Sequence, residues 1–135
     1  MKNNIKLSDF PFQHELKTRW RDLDAFNHVN NATFLSYIED ARIVFFKRWG
    51  INFKEKSLIV AAVKIDYINQ LEHPSNLIIG QKVSRIGSKS FDIQSALFKN
   101  KTLICCSTIT SVCYDFVNNK TVCVYDEIIA DHKIK

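Results

Sequence analysis

Apolar and polar residues alternate from Phe12 to Arg21. Phe12, His14, Leu16, Thr18 and Trp20 share one face, and Gln13, Glu15, Lys17 and Arg19 the other. That period of two predicts a first strand. Asp22 to Asn30 breaks the alternation and reads as a loop. A helical period then takes over. Phe34, Ile38, Ala41, Phe45 and Trp49 fall on one face, with Leu35, Val44 and Phe46 widening it. The stripe is broader than that of an ordinary surface helix, so this helix is expected to be covered on more than one side. Asn30 or Asn31 is suited to cap its start, and Gly50 to end it in a left-handed conformation.

Extended segments follow. Leu58 to Tyr67 ends in clear alternation, and Leu77 to Ile86 comes after a turn around His73-Pro74-Ser75. Gly87-Ser88-Lys89 connects tightly into Ser90 to Phe98, and Lys99-Asn100-Lys101 into Thr102 to Asp115. Val117 to Tyr125 adds a short last strand, and Asp126 to Lys135 is a short helix or a fraying tail. One strand, a long apolar helix and then four or five closely joined strands predict an antiparallel sheet curled around that helix. The class is α+β. One domain, residues 1–135, is expected from the length.

Composition narrows the function classes. No apolar run approaches the roughly 20 residues that cross a bilayer, and the N-terminus is too polar for a signal peptide, so no membrane insertion is expected. The net charge is +5. The basic residues are scattered, which argues against a nucleic-acid surface and suits a phosphate-bearing ligand. Cys105, Cys106, Cys113 and Cys123 sit in strand-like sequence without disulfide or zinc spacing, as expected of a reduced, cytoplasmic protein. No metal site is expected. Glycine-rich nucleotide motifs are absent, as is the Gly-x-Ser-x-Gly elbow.

The chemistry concentrates between Asp22 and Asn31. A carboxylate here stands beside the exposed N–H groups of a helix start, which can polarise a carbonyl while the acid acts on it. Asp22 is two residues from Asp24 and reads as structural. His28 can orient a water or the substrate. Asn30 and Asn31 stand at the cap, where the backbone does the work. Glu39 is the rival acid, but about 12 Å along the helix from its start. Arg85, Lys89 and Lys82 are candidates for meeting phosphates.

The pattern Asp22-x-Asp24-x-x-x-His28-Val29-Asn30-Asn31, followed by a helix carrying Glu39-Asp40-Ala41-Arg42, resembles the hotdog-fold acyl-CoA thioesterases of the 4-hydroxybenzoyl-CoA thioesterase type. The resemblance runs from about His14 to Tyr125. It implies a sheet of five to six strands wrapped around one long central helix. It makes Asp24 the catalytic carboxylate, and the backbone N–H near Asn31 the group that polarises the thioester carbonyl. His28 and Asn30 become substrate contacts. The turn Arg85-Ile86-Gly87-Ser88-Lys89-Ser90 comes near the pantetheine arm, so Arg85, Ser88, Lys89 and Ser90 join the substrate-binding set. The partners implied are an acyl-CoA substrate and further copies of the chain, as a homodimer or homotetramer with sites at the dimer interface. No cofactor is implied, because coenzyme A is part of the substrate. Two other functions fit the same residues: hydrolysis of acyl groups on acyl carrier protein, and binding of acyl-CoA or lipid without turnover. Asn27 stands where many members carry Gly, and Asn also tolerates left-handed angles.

Overall fold

The computed structural model describes residues 4–133. Expectations that touch Met1 to Asn3 or Ile134 and Lys135 lie outside those residues. Six strands form one antiparallel sheet: β1 (Phe12–Lys17), β2 (Ser57–Tyr67), β3 (Asn76–Ile86), β4 (Ser90–Lys99), β5 (Thr102–Asp115) and β6 (Lys120–Thr121). Their order is β1-β3-β4-β5-β2, with β6 paired to β5. The helix α1 (Asn31–Lys47) leaves β1 and lies across the inner face, and α2 (Asp126–His132) follows β6. This is the hotdog arrangement, an α+β fold.

The inner core is built from the helix stripe. Phe34, Ile38 and Ala41 pack with Leu77, Ile79, Leu97 and Ile109. Phe45 and Trp49 pack with Val83, Phe91, Ile93 and Cys113. Each large side chain removed from water contributes roughly 1.5–3 kcal/mol, which explains why so apolar a helix is stable only under a sheet. Gly50, at φ +67°, ends the helical region in the left-handed conformation. On the outer face the N-terminal segment lays Phe10 against Ala96, Phe98 and Cys106. Gly80 permits this, since a Cβ there would stand 2.6 Å from Phe10.

Two expectations change. The first strand stops at Lys17 instead of continuing to Arg21. The Asp22 carboxylate accepts the Arg19 N–H at 2.8 Å and draws Trp20–Asp22 into a 3-10 turn. Trp20 therefore leaves the inner face and is 77% exposed. The helix is also less covered than its stripe suggests, because Leu35 and Val44, on opposite flanks, remain exposed. The flank that carries Leu35 and Ile43 lies away from β1 and is open.

That open flank adjoins β2, whose only partner among the described residues is β5. The strand is eleven residues long, and Ile59, Val60, Val63 and Tyr67 are all exposed on it. A long apolar edge of this kind is a template for pairing with another chain.

Candidate active site

The end of β1 is clamped to the loop before β3. The Thr18 N–H donates to the Ser75 carbonyl at 3.0 Å, and the Ser75 N–H donates to Thr18 Oγ1 at 2.9 Å. His73 Nδ1 lies 2.7 Å from the same hydroxyl. The chain then turns through Trp20–Asp22 and forms a small closed loop. Leu23 and Val29 bridge its base. Inside it, the Asp24 N–H donates to the His28 carbonyl at 2.9 Å and the Asn27 N–H to the Asp24 carbonyl at 3.1 Å. Asn27 has φ 61°, the left-handed angle that closing this turn requires.

Asp24 is aimed by its own turn. Its Oδ1 accepts the Phe26 N–H at 2.9 Å, as a loop aspartate commonly does. Its Oδ2 has no hydrogen-bond partner among the described residues. The loop is moored to the helix start from both sides. The Asn30 N–H donates to the Asp22 carbonyl at 2.9 Å, and the Val29 N–H to the Leu71 carbonyl at 2.8 Å. Asn30 is the N-cap, its side chain accepting the Ala32 N–H at 2.8 Å. That leaves the Asn31 N–H without a partner among the described residues. It points out of a helix terminus carrying partial positive charge. Tyr67, at the end of β2, donates its hydroxyl to the Asn31 carbonyl at 3.0 Å and joins this corner to the open flank.

Asp22 is structural, as its spacing suggested. It is buried, and its carboxylate is held by the Tyr37 hydroxyl and by the Arg19 guanidinium at 3.1 Å. Burial alone would raise its pKa. The hydrogen bonds from Tyr37 and Arg19 outweigh burial and hold it below the ordinary aspartate value. Burial and the Asp22 charge together push the Tyr37 phenol up.

The geometry therefore joins a carboxylate with one open oxygen to a free backbone N–H at a helix start. A model of the thioesterase-like superfamily matches residues 18–131. The chain belongs to that superfamily. The YsmA protein of Bacillus subtilis is 32% identical over 88 residues, covering 64% of this chain and 60% of that protein. A chloroplastic acyl-acyl carrier protein thioesterase of Arabidopsis thaliana is 25% identical over 104 residues, covering 73% of this chain and 54% of that protein. The match thus spans less than two thirds of either curated relative. A Thermus thermophilus thioesterase, solved with coenzyme A and zinc, superposes with a TM-score of 0.82 at 26% identity, covering 92% of this chain and 98% of that one.

For this superfamily member, the structure brings Asp24, His28, Asn30 and Asn31 into one corner. Arg85, Ser88, Lys89 and Ser90 lie elsewhere. Asn76, beside the end of β1, starts β3, and Arg85 is nine residues along it, about 30 Å away at ~3.3 Å per residue. Arg85 there is bound by Asp92, at 2.9 and 3.1 Å, and by Ser90 Oγ at 3.0 Å. Lys82 stands over the Phe10 ring on the outer face. Glu39 is exposed on the flank of α1 and contacts Arg42 at 3.4 Å. Among the described residues no group of three His, Cys, Asp or Glu side chains is placed to hold a metal.

Sequence reasoning missed three aromatic residues. Tyr37 and Tyr67 tie the loop and the helix start in place. Phe26, 79% exposed, stands on the Asp24 loop, and Trp20, in the turn before it, is equally exposed. The signal for Tyr37 was present: a hydroxyl on the buried stripe of a helix requires a partner.

Proposed function

We propose that this protein hydrolyses acyl-CoA thioesters to the free acid and coenzyme A, as an enzyme of the 4-hydroxybenzoyl-CoA thioesterase type. The observation that carries the reading is the pairing of Asp24 Oδ2 with the unclaimed Asn31 N–H. With the thioester carbonyl at that N–H, the developing oxyanion meets a donor and the helix dipole. Asp24 then acts in one of two ways. As nucleophile, its carboxylate adds to the carbonyl carbon, the C–S bond breaks and coenzyme A leaves as thiolate. Water then cleaves the mixed anhydride and restores the carboxylate. As general base, Asp24 takes a proton from the water that attacks. His28 and Asn30 border the site as substrate contacts.

The reading includes a homodimer, or a homotetramer of such dimers, formed through the β2 edges. A two-fold axis at that edge reverses the second copy. Its Arg85–Ser90 turn then stands at the same end as this chain's Asp24, two to three strand spacings away, about 10–15 Å. That arrangement lets Arg85, Ser88, Lys89 and Ser90 meet the coenzyme A arm. Three buried cysteine thiols suit a reducing, cytoplasmic setting.

The test is a screen of short, long, branched and aromatic acyl-CoAs with wild type and Asp24→Asn. The variant keeps the oxygen that holds the Phe26 N–H, so the fold is expected to survive. Activity is expected to fall about 10²–10⁴-fold. Unchanged turnover on a thioester that wild type cleaves well removes Asp24 from the mechanism. A single turnover in ¹⁸O-water separates the two chemical roles, because only the nucleophilic route labels the Asp24 carboxylate. The plant relative's name favours a second substrate carrier, acyl carrier protein. Matched rates on the two carriers decide between them.

A further inference from the structure

Among the described residues, four buried side-chain polar atoms lack a hydrogen-bond partner: Arg42 Nε, Gln81 Oε1, Ser107 Oγ and Ser111 Oγ. Gln81, Ser107 and Ser111 stand on the inner face of the sheet, and Arg42 on the helix that packs over it. Gln81 uses its Nε2 on the Ile38 carbonyl at 3.2 Å and on Ser95 Oγ at 3.0 Å, which places it directly under the helix. Ser95 pairs with Ser107 across β4 and β5. Ser107 and Ser111 alternate with Cys105, Ile109 and Cys113, the β5 residues of the inner core, and share their face.

Arg42 is one turn past Ile38, on the flank away from β1. Asp40, Phe45 and Arg48 take the β1 side, against His14 and Phe12. The Arg42 side chain is 9% exposed, and its one carboxylate partner, Glu39, is 65% exposed and 3.4 Å away. Its guanidinium otherwise lies over the Phe46 ring at 5.8 Å.

The levels agree along the fold. The Tyr67 hydroxyl aligns the start of α1 with Cys105, the register partner of Tyr67. From that point Arg42 is about 16 Å along the helix at ~1.5 Å per residue. Ser107 and Ser111 are about 7 and 20 Å along β5 at ~3.3 Å per residue. The guanidinium, leaning back toward the helix start, falls between them. The same flank carries the exposed Leu35 and Ile43.

We propose that this layer is the distal end of the acyl site, and that Arg42, with Ser107 and Ser111, binds a carboxylate at the far end of the acyl chain. The preferred substrates are then thioesters of dicarboxylic acids. The inference rests on the thioesterase reading. An acyl group with its carbonyl at the Asn31 N–H runs along the open flank past Leu35 and reaches Arg42 after about 10–15 Å. The fork of a guanidinium matches a carboxylate with two parallel hydrogen bonds, and the serine hydroxyls supply further donors. A plain alkyl chain leaves every one of these groups unmatched.

The test compares octanoyl-CoA with suberyl-CoA, which has the same length and a terminal carboxylate. Wild type is expected to favour suberyl-CoA by roughly tenfold or more in kcat/KM. Arg42→Met is expected to abolish that ratio, and Ser107→Ala with Ser111→Ala to reduce it. An equal ratio in wild type and Arg42→Met overturns the proposal. If Arg42→Met does not fold, the serine variant decides, and an unchanged ratio there overturns it. A calorimetric arm uses free octanoate and octanamide, which differ only in the carboxylate. Tighter binding of octanoate, lost in Arg42→Met, supports the site, whereas equal binding of the two overturns it. This arm stands even if no thioester is cleaved, an outcome that defeats only the thioesterase reading.

Discussion

The Tyr37 hydroxyl donates to the Asp22 carboxylate at 2.5 Å, joining the second turn of α1 to the loop that precedes it. Asp22 also lends its carbonyl to the N-cap residue Asn30. One buried aspartate thus fixes the Asp24 loop to the helix start through its side chain and its backbone together. Tyr37→Phe removes the hydroxyl and leaves the carboxylate buried. We expect a loss of about 1.5–3 kcal/mol, the range for a hydrogen bond to a charged group. Melting curves of the variant check this.

The same contact sets an acid limit. The Asp22 pKa is held below the ordinary aspartate value in the folded state by its hydrogen bonds from Tyr37 and Arg19. A depressed carboxyl pKa stabilises the fold above the unfolded value, and that stabilisation is lost as pH falls through the folded one. Wild type is therefore expected to keep this contribution at pH 5 and lose it below about 3.8. In Tyr37→Phe, burial raises the carboxyl with less to oppose it, so folded and unfolded states bind the proton more alike. The variant loses less stability on acidification, and its deficit against wild type narrows as pH falls. Denaturant midpoints between pH 3 and pH 7 read the difference.

Asn27 carries the turn that aims Asp24, at φ 61°. Asn27→Gly is expected to preserve stability and activity, because glycine enters this region freely. Asn27→Ala keeps a Cβ in the left-handed region and removes the short polar side chain that makes it tolerable, at a cost of up to about 1–2 kcal/mol. Its turnover is expected to fall more than its substrate binding, since the carboxylate is re-aimed. Paired melting and kcat and KM measurements test both.

Burial pushes the Cys105 thiol up to about 12 and the Cys113 thiol up to about 11. Cys106 is buried as well, and Cys123 is exposed. A thiol reagent at neutral pH is expected to label Cys123 within minutes and the other three only on unfolding. Mass spectrometry of the labelled peptides is the readout.

Val63 is 47% exposed at the middle of the β2 edge region. Val63→Asp is expected to prevent self-association through that strand and to lower thioesterase activity, since the proposed site includes a second copy's turn. Sedimentation equilibrium together with activity at several protein concentrations checks the coupling.

The strand and helix periods alone determined the fold class, the element order and the inner core. Each depends on local alternation, which survives any tertiary context that buries one face. The Asn30 cap and the special backbone at Asn27 were legible for the same reason: turns and caps are made by neighbours in sequence. Tertiary structure decided the rest. It ended β1 at Lys17 and turned Trp20 outward, because Asp22 competes for the Arg19 N–H. It placed the Arg85–Ser90 turn at the far end of β3, about 30 Å along the strand from Asn76, which pairs with the end of β1. It left one flank of α1 open beside β2 and set Gln81, Ser107 and Ser111 on the sheet face that α1 covers, with Arg42 on the helix flank above them. Those four residues come from three elements far apart in sequence, so only the closing of the sheet over the helix brings them together.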